Sequence, residues 1–237
     1  MKSRKPVTLF LTLILSIFLI VSSNAESLDI PRISESLSLR GGIKSGMSLN
    51  EVIQFESNNG NTDYSSGKER SELIYKKEIH YSTNIAGYDY STLFYFFDKQ
   101  STCMGVGYIF GDGDHPVNGE KIHDEMYSTL VQKYGEPLSK NELLSDNLYS
   151  PLLNFAFYTQ SMMKMLGRSY SIHDFSQWLI AYEDCYLLID LYLTTPQGSS
   201  PMLNTGYRFL NESELKTIIG NDLNTQNEMN EKRQNDL

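Results

Sequence analysis

LFYFFDKQSTCMGVGYIF, residues 93–110, decides the fold. Two runs rich in aromatic and branched side chains flank a polar stretch, residues 98–101, made of turn formers. Each run is shorter than an ordinary helix, and the pattern predicts a β-hairpin turning at residues 98–101. Phe94 and Phe96 alternate with Tyr95 and Phe97, so both faces of the sheet carry rings. A lone hairpin cannot cover two such faces, and the flanking chain must supply more strands and a layer above them.

Working outward toward the N-terminus, residues 73–80 and 84–98 read as strands. Before them stands RGGIKSGMSLNEV, residues 40–52. A phosphate-binding loop needs lysine directly after its last glycine and a strand leading in. Here Lys44 precedes Gly46 and no apolar strand leads in. Capping explains the stretch better. Ser48 and Glu51 stand as a capping box, Met47 and Val52 as a hydrophobic staple, and Val52, Ile53 and Phe55 as the apolar face of a helix from about Ser48. SNNGN, residues 57–61, ends it.

Toward the C-terminus, GDGDHPVNG (111–119) is a loop. A second helix spans about 120–134, with Ile122, Met126, Leu130, Val131 and Tyr134 on one face, Gly135 as cap and Pro137 as stop. Residues 139–150 form a connector, and 151–166 a Met-rich helical insert carrying Met162, Met163 and Met165. Strands follow at about 178–182, 186–194 and 202–209, then a short helix, 212–219, capped by Asn211. Strands cluster with strands instead of alternating singly with helices. The fold class expected is α+β: antiparallel sheet with helices packed on one face, in one unit or in two tandem helix-plus-sheet units.

The N-terminal 25 residues carry a basic start (Lys2, Arg4, Lys5), an apolar run at 7–21 and small residues at Ser23 and Ala25. They predict a secretory signal peptide cleaved after Ala25. The alternative is an uncleaved anchor, although the run is short of the roughly 20 residues a span requires. The domain division expected is 1–25 signal peptide, 26–138 first helix-plus-sheet unit, 139–222 insert and second sheet unit, and 223–237 a polar, disordered tail. The location expected is secreted or extracytoplasmic, with no membrane span left after cleavage. The net charge is −9, and removing the first 25 residues would take three cations with them. That balance argues against nucleic acid and against anionic lipid surfaces.

Motifs that would carry chemistry are weak. Ser161–Lys164 matches S-x-x-K and Ser145–Asn147 matches S-D-N, but in the wrong order and without K-T-G. Asp112, Asp114 and His115 lack the spacing of a calcium loop, and His80, His115, His123 and His173 lack that of a zinc site. No metal and no cofactor are expected. Cys103 and Cys185 are either a disulfide, which export would permit, or two separate buried thiols. Asp89, Asp98, Glu183, Asp184 and Asp190 lie in strand-like stretches. A solvent-facing role for them outweighs a catalytic one. The aromatic strands offer a candidate binding surface of Tyr88, Tyr90, Tyr95, Phe97 and Tyr108, against the plainer reading of cross-strand packing.

LRGGIKSGMSLNEV, IAGYDYSTLFYFFD, GVGYIF, YSTLVQKYGEP and QWLIAYEDCYLLIDLYL together resemble uncharacterised exported proteins of Gram-positive bacteria. Their usual forms are RGI-x-W-G-M-S-x-x-E-V, V-A-G-Y-D-A and K-Y-G-E-P. The likeness covers residues 39–221. Ser45 stands where a tryptophan is usual, and SNNGN replaces G-x-P. The same helix-turn-strand logic is that of the small outer-membrane-assembly lipoproteins (the SmpA/OmlA, or BamE, group) and of the β-lactamase-inhibitor-protein fold. The resemblance implies a fold and supplies no catalytic residue. The function expected is therefore a non-catalytic binding protein of the cell envelope or extracellular space, its partner another exported or envelope protein. The rivals are a carboxylate-dependent envelope hydrolase using Asp89, Asp184 or Asp190, and a purely structural secreted protein.

Overall fold

The computed structural model describes residues 30–67, 75–111, 115, 117–137, 139–140, 170–196, 198 and 200–216. The signal-peptide segment, the S-x-x-K and S-D-N strings, the insert at 151–166, Asp112, Asp114 and the C-terminal tail lie outside them. Among the described residues, ten elements run from α1 (Leu49–Asn58) through β1 (Ser65–Ser66), β2 (Lys77–Ile85), β3 (Tyr88–Phe97), β4 (Cys103–Ile109) and α2 (Gly119–Tyr134) to β5 (Ser139–Lys140), β6 (Tyr170–Ala181), β7 (Tyr186–Pro196) and β8 (Met202–Leu210). A last helical turn occupies 212–216.

The eight strands of the described residues form one antiparallel sheet in the order β1-β2-β3-β4-β8-β7-β6-β5. The fold is mainly β, with a few helices. Antiparallel neighbours need only short connections, and the turn chemistry is visible. At the β3–β4 turn the Asp98 carboxylate accepts from the amides of Gln100 and Thr102, and Ser101 adopts φ 61°. The β2–β3 turn is Ala86-Gly87, both left-handed at φ 52° and 88°, as a tight two-residue hairpin requires. Its place corrects the expectation of a break near residues 81–83. Tyr81, Ser82 and Thr83 continue β2, which runs on to Ile85.

One face of the sheet holds the main core: Ile79, Leu93, Tyr95, Phe97 and Val106 on the first strands, then Trp178, Ile180, Leu187, Ile189 and Leu203 on the later ones. Val52 of α1 and Ile122, Leu130 and Tyr134 of α2 pack into the same cluster. The opposite face carries Phe94 and Phe96 with Tyr75. Further along it are Gln177, Asp190 and Arg208, all buried. Two rings on each parity is what the hairpin sequence implied.

The two halves meet along β4–β8, where Gly105 pairs with Arg208 and Gly107 with Gly206. A Cβ at Gly105 would run into the Tyr207 carbonyl oxygen, so this approach requires glycine. The same register settles the cysteines. Cys103 lies in the row of Leu210 and Tyr186, with β8 between it and Cys185. Two strand spacings are about 10 Å, beyond the roughly 7 Å a disulfide spans. Both thiols are free and buried, and of the two alternatives the disulfide is the one set aside.

Candidate functional site

Among the described residues, the helices do not close over the sheet completely. α1 is seated above β3, where the hydroxyl of Tyr95 bonds to Glu56. α2 packs on β7 and β8. Eight strands at about 4.8 Å make a sheet some 34 Å wide, and among the described residues two helices about 10 Å across leave a strip uncovered. The strip is a groove of about 650 Å³.

The walls of the groove come from four places: the loop before α1, the β2–β3 turn, the ends of β4 and β8, and one stripe of α2. Tyr88, Tyr108 and Tyr207 face it from the strands, Phe110 from just past the end of β4, and Ile122 and Met126 from the helix. Tyr88 stands edge-on to Phe110 at 5.9 Å and Tyr108 edge-on to Tyr207 at 5.8 Å, so the rings are locked against one another. Burial raises the Tyr108 phenol, with Arg40 beside it pulling the other way, and pushes Tyr207 up to about 12. Both hydroxyls are therefore neutral at physiological pH and offer an O–H donor as well as an acceptor.

The charged part of the site begins with Arg40. It takes a left-handed backbone, φ 52°, in a tight turn closed by reciprocal bonds between Leu39 and Ile43. Its Nε and Nη2 donate to the two oxygens of Glu56 at 2.9 and 3.2 Å, a fork on a carboxylate with no exposed surface. The Tyr95 hydroxyl and the Asn61 amide, at 2.5 Å, complete the shell around Glu56, and Thr83 in turn donates to Asn61. Burial works against the Arg40 cation. The Glu56 carboxylate and its hydrogen bonds outweigh that, and the guanidinium is held above its ordinary value. The side chain remains 22% exposed and lines the groove. Across from it, Lys133 and Glu125 line the wall from α2. Glu125 is the one carboxylate among the described residues lining the groove, so the arrangement lacks the carboxylate pair that glycoside hydrolysis uses.

The expected binding surface is divided by this geometry. Tyr88 and Tyr108 line the groove. Tyr95 and Phe97 are wholly buried in the core, a correction that follows from parity: their face of β3 is the one the helices cover. Tyr90 is 51% exposed, left-handed at φ 58°, and stacks flat on His115 at 3.6 Å. The acids do not converge. Asp89 accepts from the Asn84 amide at the β2–β3 turn, Asp184 accepts from the Leu37 amide, and Asp190 lies buried in mid-β7 against Gln177. Six strand residues, about 20 Å, separate Asp184 from Asp190. No group of histidine, cysteine and acidic residues able to hold a metal occurs among the described residues, and none of their helices is long and apolar enough to cross a membrane.

Sequence reasoning missed Arg40, Glu56, Met126 and Tyr207 as site residues. Glu56 gave a signal: it lies four residues after Val52, on the apolar stripe of α1, where an acid needs a partner. The fold and the groove together define a mainly-β protein with a half-open, tyrosine-walled cleft and one preset arginine. No family model, curated protein or solved structure matches the chain.

Proposed function

We propose that the protein is an exported, non-catalytic binding protein of the cell envelope or extracellular space, and that it holds another exported or envelope protein in the groove between α1 and α2. The single observation behind this reading is the uncovered strip above β4–β8: about 650 Å³, walled by interlocked tyrosines and a methionine, with an arginine fixed at its side. The volume falls in the range of specific ligand sites, and tyrosine, methionine and arginine are the residue types enriched where proteins meet. The element order among the described residues, a helix and four antiparallel strands followed by a helix and four more, supports reading the chain as two tandem helix-plus-sheet units. On that reading the groove is the seam between them. The resemblance to exported Gram-positive proteins belongs to the same proposal.

A photo-crosslinking side chain at Met126 tests it, with the same group at exposed Tyr90 as the comparison site. Both proteins are incubated with native envelope and culture fluid. The expected result is one stoichiometric protein adduct from position 126 and none from position 90. Equal labelling from both, or none from 126, would remove the groove as the docking site.

A further inference from the structure

Arg40 is built as more than a counter-ion for Glu56. A non-glycine residue at φ 52° costs backbone energy, and such strain persists only where its surroundings enforce it. Here the enforcement is a fully buried carboxylate that is itself fixed by Tyr95 and Asn61. A guanidinium has five N–H groups in one plane, and Glu56 takes two of them along the Nε–Nη2 edge. The Tyr108 hydroxyl lies within reach of the head group, and the rest of it lines the groove. The result is a planar donor set held rigid at the wall of an apolar cleft, the geometry that suits a carboxylate. Lys133 on the facing helix adds a second cation.

The rest of the groove says what is attached to that carboxylate. Its lining is apolar at Ile85, Phe110, Ile122 and Met126, yet Tyr88, Tyr108 and Tyr207 bring hydroxyls and Glu125 brings an acceptor. A bare hydrocarbon chain would offer these polar groups no further hydrogen bond, whereas a peptide backbone brings donors and acceptors of its own. The stripe from Ile122 to Lys133 is about 16 Å long at 1.5 Å per residue, the length of about five extended residues. We infer that the groove captures the C-terminal segment of a partner chain, about five residues in extended form with apolar side chains, its terminal carboxylate paired to Arg40. This rests on the groove being the docking site.

The probe is a pool of N-acetylated pentapeptides, apolar at alternate positions, made with a free C-terminal carboxylate and again with a C-terminal amide. The purified protein is expected to bind the acid pool at least tenfold more tightly than the amide pool. Arg40→Gly combined with Glu56→Gln leaves no buried carboxylate unpaired and suits the left-handed backbone. It should bring the ratio close to one with an unchanged circular dichroism spectrum. Should that pair fail to fold, Arg40→Lys keeps the charge and loses the fork, and the ratio should fall at least threefold. A merely structural Arg40 would change stability and leave the ratio where it was. Met126→Glu should weaken both pools together. Equal binding of acid and amide, with both lost in Met126→Glu, would overturn the carboxylate anchor and leave the groove standing. Binding of neither pool, or Arg40-dependent binding of decanoate without the peptides, would overturn the peptide terminus as occupant.

Discussion

Glu56 and Asp190 are both buried carboxylates, and the chain treats them differently. Glu56 receives a bidentate arginine, a phenol and an amide. Removing one partner of a buried ion pair leaves the other charge without compensation. Glu56→Ala should therefore destabilise by about 3–5 kcal/mol, measured by urea unfolding, and the double replacement Arg40→Leu with Glu56→Leu should recover much of that. Asp190 has Gln177 as its donor at 2.5 Å, its second oxygen has no hydrogen-bond partner, and Arg208 interacts with it through space. Burial raises its carboxyl from 3.8 to about 7, against the pull of Gln177 and Arg208. Between about pH 4 and pH 7 the folded protein holds a proton that the unfolded chain has released. Its contribution is full below pH 4, is lost as pH rises through 7, and is flat above. Stability measured across that window should fall with rising pH, and Asp190→Asn should remove this part of the slope; an unchanged slope would place the titration elsewhere. Neither role was legible in one dimension. An acid on the apolar stripe of α1 announces that a partner exists, but the partner lies sixteen residues earlier, in a turn whose shape depends on the sheet beneath it.

At the scale of elements, local chemistry was readable and long-range pairing was not. The capping box at Ser48 and Glu51 is formed as its residues imply, with the Ser48 amide donating to the glutamate and the serine oxygen accepting from the Glu51 amide. Ser48→Ala should cost about 1 kcal/mol, read as a shift in the urea midpoint with an unchanged slope. Gly135 ends α2 with its amide on the Val131 carbonyl, and Asn211 caps the last turn through Glu214, both as the sequence suggested. These signals sit within four residues of the structure they specify. The misses have another origin. β6 begins at Tyr170, eight residues before the stretch that reads as strand, because pairing with β7 carries it across the irregularity at His173–Ser176. β5 is two residues long and exists only through its pairing with β6. The same applies to the binding surface: alternation placed rings on both faces of β3, yet only the helices decide which face is core.

The whole molecule turns on the β4–β8 joint, the pairing through which β1–β4 and β5–β8 become a single sheet. If that joint transmits stability, the described residues from β2 to β8 unfold as one cooperative unit. The chain has one tryptophan, Trp178, in β6 on the far side of the joint from β1–β4. It is buried, and its indole N–H is held by the Gly135 carbonyl, so its fluorescence reports on the second half. Three perturbations should then move the Trp178 midpoint although none touches it. Ser48→Ala acts from the cap of the first helix, Glu56→Ala from its buried face, and Gly105→Ala from the joint, where the added methyl group meets the Tyr207 carbonyl. The tryptophan curve and the far-ultraviolet circular dichroism curve should coincide for each variant, and Gly105→Ala should shift both down together. A Trp178 midpoint that stays fixed while the dichroism curve splits into two steps would mean that the halves unfold separately. The groove above the joint would then be a contact between two bodies free to shift, and the preset position of Arg40 would fix only one of its walls.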